Sequence, residues 1–317
     1  MGSPVKPGVL FSLLLFATLA FSFPDRPIRI IVPLAAGGTG DTLARLVGDE
    51  LARALGGAVI VENRPGSGGV IGTEAVAKSA PDGHTLLHTS PSHVLNAALR
   101  ERLPYDPIRD FASISQTADT WQVLVAHPSV PASNVKELIA LAKTRSLNYG
   151  SSGNGSATHM NMELFKALAG VDLVHVPYKG STQARTDLLS GQVQLVVDGL
   201  LPNLPHVRAG KLKAYAVTNS RRAPVAPEIP TMEEAGVKGY VSDTWYALLA
   251  PAGTPPAVLE RLRSATEGVL NNASLREKFV AQGAEPAGGG AAALDEVMRA
   301  DLVRWTKVVA DAKLRVD

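Results

Sequence analysis

Two stretches of the chain place small, glycine-rich and hydroxyl-bearing residues directly before helical patterns: Ala36-Gly37-Gly38-Thr39-Gly40-Asp41 and Ser151-Ser152-Gly153-Asn154-Gly155-Ser156. A helix N-terminus presents N–H groups without intrahelical partners at the positive end of the peptide dipole, and small side chains let an anion approach them. Recognition of an anion is therefore the chemistry these loops suit. Either loop alone is more often a tight strand-to-helix turn; two of them, one in each half, point to binding. Asp41 suits an N-cap of a helix over 42–55 better than contact with an anion. His159, three residues into the helix after the second loop, is either a donor to the anion or a capping residue.

Other chemistries lack their residues. GxxxxGK[ST] is missing and no glycine cluster completes GxGxxG, so no nucleotide cofactor is expected. A nucleophile elbow GxSxG needs Gly at 154, where the chain has Asn154. Ser152 or Ser156 with His159 remains the candidate set for an exported hydrolase or lyase. His84, His88 and His93 have neither HExxH nor clustered carboxylates beside them, so no metal is expected. Cysteine is absent, which removes thiol nucleophiles and disulfides. The 31 Lys+Arg against 29 Asp+Glu give a net charge of +2, which disfavours a nucleic-acid partner.

The elements that position the loops follow from periodicity. Ile28 to Leu34 is a β-branched strand, and Leu43, Leu46, Val47, Leu51 and Leu55 make one face of the next helix. Strands at 59–62 and 84–89 follow, and the second half repeats the grammar with strands near 147–151, 171–176, 192–197 and 212–217. A strand at 244–250 and three helices close the chain. Strands alternating with helices predict a mostly parallel sheet with helices on both faces. A length of 317 residues suits two domains. The C-terminal helices have no sheet of their own, so they should pack on the first lobe. That requires two crossings, near 120–126 and 241–250, and a hinged cleft at the carboxyl ends of the strands. Val9 to Phe23 is an uncharged apolar run of 15 residues behind a single Lys, as in an export signal, with cleavage after Ser22 or, second, Ala20. The expected division is a signal peptide at 1–22, lobe one at 23–122 and 246–317, and lobe two at 123–245.

Several ordered strings resemble the Bug-type periplasmic solute receptors of tripartite tricarboxylate transporters: PLAAGGTGD (33–41), ENRPGSGGVIG (62–72), PDGHTLL (81–87), LPYDPIRDF (103–111), YGSSGNGSATH (149–159), VHVPYKGSTQARTDLLSGQVQLVVD (174–198) and EIPTMEEAG (228–236). The resemblance implies a two-lobed type II periplasmic-binding-protein fold of α/β class that closes over a small organic carboxylate, a monomer that delivers its ligand to membrane transporter subunits or a sensor kinase. It points to Ala36, Gly37, Gly38, Thr39 and Asp41 in lobe one, and to Ser152, Gly153, Gly155, Ser156, His159, Lys179, Gly180 and Ser181 in lobe two. The segment Ser90 to Asn96, with Ser92, and residues near Asp198 and Asp243 should line the remainder. Leu34-Ala35, His84 and the glycine-free 90–96 depart from the family near the pocket, so ligand identity does not carry over.

Overall fold

The computed structural model describes Gly2 and residues 23–311. Apart from Gly2, the segment 1–22 expected to be an export signal lies outside them. In chain order the elements are β1 (Ile28–Val32), α1 (Thr39–Leu55), β2 (Val59–Asn63), α2 (Val70–Ala77), β3 (Thr85–Thr89), α3 (Ser92–Leu99), β4 (Phe111–Thr120) and β5 (Gln122–Ala126). They continue with α4 (Val135–Ala142), β6 (Asn148–Ser151), α5 (Ala157–Ala169), β7 (Val174–Pro177), α6 (Ser181–Leu189), β8 (Leu195–Gly199), α7 (Leu200–Arg208) and β9 (Lys213–Val217). The last are β10 (Thr244–Pro251), α8 (Pro256–Leu270), α9 (Ala273–Ala281), β11 (Ala284–Gly288) and α10 (Gly290–Asp311).

One sheet has the order β11-β4-β10-β3-β1-β2 and the other β7-β6-β8-β5-β9. Alternation sets their faces. In β1, Ile28, Ile30 and Val32 meet α1, α8 and α9, while Ile31 faces the layer of α2, α3 and α10. β10 does the same with Tyr246, Leu248 and Ala250 against Trp245, Ala247 and Leu249. In β5, Leu124 and Ala126 face α5, and Val123 and Val125 face α6 and α7. Both sheets are thus sandwiched between helices, as period-2 burial on two faces requires.

The expectation of mostly parallel sheets is corrected to mixed ones. β1 pairs in parallel with β2 and β3, and β6 with β7 and β8, but β10 runs antiparallel to β3 and β4, β11 antiparallel to β4, and β5 antiparallel to β8 and β9. β5 and β10 run antiparallel because they follow the crossings: β4 leaves one sheet at Thr120 and β5 enters the other at Gln122, with Trp121 between. The C-terminal segment does add a strand, β11, at the sheet edge, where Pro286 can lack its N–H. α8 and α9 pack on α1, but α10 reaches further, because Trp305 and Val309 join the core of the second sheet.

Candidate functional site

The parallel strands β1, β3, β6, β7 and β8 all end on one cleft between the sheets, where each is followed by a helix. Residues Gly38 to Gly40 at α1, Ser90 and Ser92 at α3, Ser156 to Thr158 at α5, Gly180 to Thr182 at α6 and Gly199 to Pro202 at α7 line it. Its volume of about 530 Å³ lies in the range of small-molecule sites. Among the described residues, the main-chain N–H groups of Thr39, Ala157, Thr158, Ser181 and Thr182 have no protein acceptor. Helix dipoles and free donors from both sheets therefore converge on one volume, an arrangement that stabilises negative charge without a basic surplus.

The loop after β1 is held from behind. Asp41 Oδ2 accepts from Gly37 N at 2.9 Å, Arg45 reaches the other oxygen of the same carboxylate at 2.9 Å, and Asn63 Nδ2 donates to Leu34 O at 3.1 Å. Burial opposes ionisation of Asp41, but the Gly37 amide and Arg45 hold its carboxyl below the usual range. The helix begins at Thr39 with Gly38 as N-cap, so Asp41 sits one turn in and braces the loop rather than capping the helix.

The second loop is braced by hydroxyls. Ser156 is the N-cap of α5, accepting from His159 N at 3.3 Å and donating to Gly153 O at 2.7 Å. Ser152 N donates to Thr158 Oγ1 at 2.9 Å. His159 faces away from the cleft: Nδ1 accepts from Gly155 N at 3.1 Å and its ring stacks on His175 with centroids 4.0 Å apart. Burial lowers the His159 pKa, with Glu163 opposing and Lys166 reinforcing the shift. His175, its Nε2 2.6 Å from Ser151 Oγ, is pushed by burial and by His159 down to about 3. His159 is therefore a neutral acceptor that fixes the loop, and it makes no hydrogen bond through its ring to Ser152 or Ser156 as nucleophilic catalysis needs. Replacing His159 with Leu is expected to orphan the Gly155 amide and cost about 1–3 kcal/mol, whereas Asn, with Oδ1 in place of Nδ1, should recover most of it. Denaturant melts and hydrogen exchange at the Gly155 amide check this; equal losses in both variants would remove the acceptor role.

Of the residues singled out in the sequence, Ala36, Gly37, Gly38, Thr39, Ser90, Ser92, Ser152, Ser156, Lys179, Gly180, Ser181 and Asp198 lie on the cleft wall. Asp41, Asn96, Gly153, Gly155, His159 and Asp243 lie off it. Asn96 Nδ2 donates to Gly68 O at 3.0 Å and to Ser92 O at 2.7 Å, so it ties a neighbouring loop to α3. Gly153, whose N–H donates to Ser151 Oγ, and Gly155 belong to the back of their loop. Asp243 accepts from Ser220 N at 3.1 Å beside the crossing segments, in a separate cavity with Asp119 and Arg221.

Sequence reading missed Thr120, Trp121, Gln122, Arg185, Thr244 and Tyr246, which also line the cleft. Arg185 had a signal, since it lies one helical turn after Ser181 and thus on the same face. Tyr246 packs so close to α1 that a Cβ on Gly40 would lie 2.8 Å from its ring.

The two sides touch around the rim. A Cβ on Gly68 would lie 2.8 Å from Asn154 O, one on Gly283 2.6 Å from Leu201 Cβ, and one on Gly180 4.0 Å from Ala35 Cβ. Glycine at 68 permits close approach across the cleft, and glycine at 283 permits it beside the crossing, where Ala284 pairs with Thr120 and Gly199 with Gln122.

Two α/β lobes closed over a cleft of converging helix N-termini define the two-lobed solute-binding class. The profile of the tripartite tricarboxylate transporter family receptor matches residues 43–314, and the chain belongs to that family. It is 37% identical to Protein BugT of Bordetella pertussis over 302 residues, covering 93% of each chain. Among solved structures, the R. palustris protein Rpa4515 with adipate superposes with a TM-score of 0.86 at 35% identity, covering 92% of this chain and 99% of that one. MatC from Rhodopseudomonas palustris with bound malate gives 0.83 at 33% identity, covering 90% and 100%.

Proposed function

We propose that the chain is an extracytoplasmic receptor that binds a small organic carboxylate between its lobes and hands it, chemically unchanged, to membrane subunits of a tripartite transporter. The lobes comprise 23–122 with 246–317, and 123–245. The observation that carries this reading is the convergence of unpaired N–H groups from Thr39, Ala157, Thr158, Ser181 and Thr182 on one cavity. Relatives with bound adipate and malate support the ligand class. The apolar run at 9–23 supports export. Micromolar affinity requires about 8 kcal/mol, within reach of a ten-atom acid in a closed pocket of amide donors.

The test is equilibrium titration of ligand-stripped protein with a panel of carboxylic acids and their neutral amides. Saturable binding of an acid, not of its amide, is expected, and no response to any acid would remove the reading. A matching prediction uses Gly180, whose backbone is extended (φ 166) and whose added Cβ would point at Ala35 across the cleft. Gly180→Val should weaken the acid at least about tenfold by obstructing closure, without changing the melting temperature by more than about 2 °C. Unchanged affinity would show that the approach of Gly180 to Ala35 does not limit closure.

A further inference from the structure

Arg185 has a role that the amide donors do not share. It lines the cleft from the second turn of α6, with its side chain only 19% exposed. Nε donates to Asp198 Oδ2 at 3.1 Å, and the same oxygen accepts from Asn203 Nδ2 at 2.9 Å. Asn203 Nδ2 also donates to Gly199 O at 2.7 Å, which fixes this chain to the start of α7. Asp198 Oδ2 is thus engaged as an anchor, and the carboxylate neutralises the Nε side of the guanidinium. Among the described residues no acceptor meets the terminal nitrogens Nη1 and Nη2 of Arg185. A guanidinium held by Nε in a largely enclosed wall keeps paired donors for a second planar anion. Lys179, the other cation on the wall, is exposed at the rim, where water screens it.

Spacing fits a ligand with two anionic ends. Arg185 follows Ser181 by four residues, a rise of about 6 Å along α6, and helical side chains lean toward the N-terminus. One carboxylate on the amides at the start of α6, α5 and α1 would place the other end of a chain of about four to six carbons within reach of the guanidinium. We propose that Arg185 is the specificity-determining residue of the cleft, receiving a second carboxylate so that the receptor selects dicarboxylates over monocarboxylates of equal length. This rests on the carboxylate-receptor reading.

The experiment compares calorimetric affinities for succinate, glutarate and adipate with those for butyrate, valerate and hexanoate at pH 7.5. It uses wild type, Arg185→Met, and Arg185→Met combined with Asp198→Asn. The double variant leaves no buried carboxylate uncompensated, so it guards against misfolding, and thermal melting verifies that it is folded. In wild type at least one diacid is expected to bind at least about tenfold more tightly than its monoacid, and in the double variant that ratio is expected to collapse at least about tenfold. A wild type that binds both classes equally overturns the inference alone, as does a double variant that keeps the preference or weakens both classes in proportion. A wild type that binds none of these six acids overturns the inference, and the receptor reading falls with it when the full acid panel also gives no response.

Discussion

Gly72→Ala is expected to destabilise the protein by about 3 kcal/mol, lowering the melting temperature by roughly 6–12 °C. Gly72 is buried in α2, beneath the turn where β1 ends, and an added Cβ would lie 2.6 Å from Arg64 O and 2.9 Å from Pro33 Cα. Both are main-chain atoms, so no rotamer change relieves the overlap, and cost comes from shifting backbone. Pro33 precedes the first cleft loop, so on the proposed function carboxylate affinity should weaken in parallel. Calorimetric melting checks the first effect; a shift below about 2 °C would show that the β1–α2 packing yields easily.

The second large effect is with acid. His88 and His93 are each 1% exposed, and burial pushes both imidazoles down to about 4. His88 Nε2 lies 3.1 Å from Thr117 Oγ1, and His93 Nε2 lies 2.8 Å from Pro107 O, so both fit the core as neutral rings. An unfolded histidine titrates near pH 6.5. Between about 6.5 and 4 the unfolded chain therefore takes up protons that the native state refuses. The stability from these rings is complete above about pH 6.5, declines as pH falls through that window, and is lost by about pH 4. The loss is on the order of 3 kcal/mol per ring. Denaturant unfolding at successive pH values from 7.5 to 4.5 should show a steadily falling free energy. A flat profile would mean that both rings charge in place. Because His88 stacks on Tyr246, a cleft residue, the same protonation should weaken ligand binding as it loosens the core.

What the sequence disclosed depended on how strongly each element's pattern departs from its surroundings. The aliphatic strand β1 and the amphipathic α1 were legible to within three residues. β4 was not, because Ser113, Ser115 and Thr117 are buried in it, and a strand with hydroxyls on covered faces lacks the alternation that marks one. α7 escaped because of Pro205 in its interior, and β11 because of Pro286. For the site, glycine-rich turns before helices marked two of the loops that line the cleft, since local chemistry shapes a helix N-terminus. Which side chains face the cleft and which brace it from behind is a tertiary property. His159 looked ligand-facing from its distance to the loop, yet its ring turns back onto Gly155 and His175. Trp121, Gln122 and Tyr246 reach the cleft through the crossings between sheets, where nothing local announces a wall.

Binding of a carboxylate by the amides of converging helix N-termini is most directly tested by amide chemical-shift mapping. The ligand-stripped, isotope-labelled protein would be titrated with a saturating acid from the panel. The expected result is that the largest shifts, downfield in the proton dimension, fall on the N–H groups of Thr39, Ala157, Thr158, Ser181 and Thr182. Saturable binding with those five amides unmoved, and the shifts gathered instead around Asp119, Asp243 and Arg221, would contradict it.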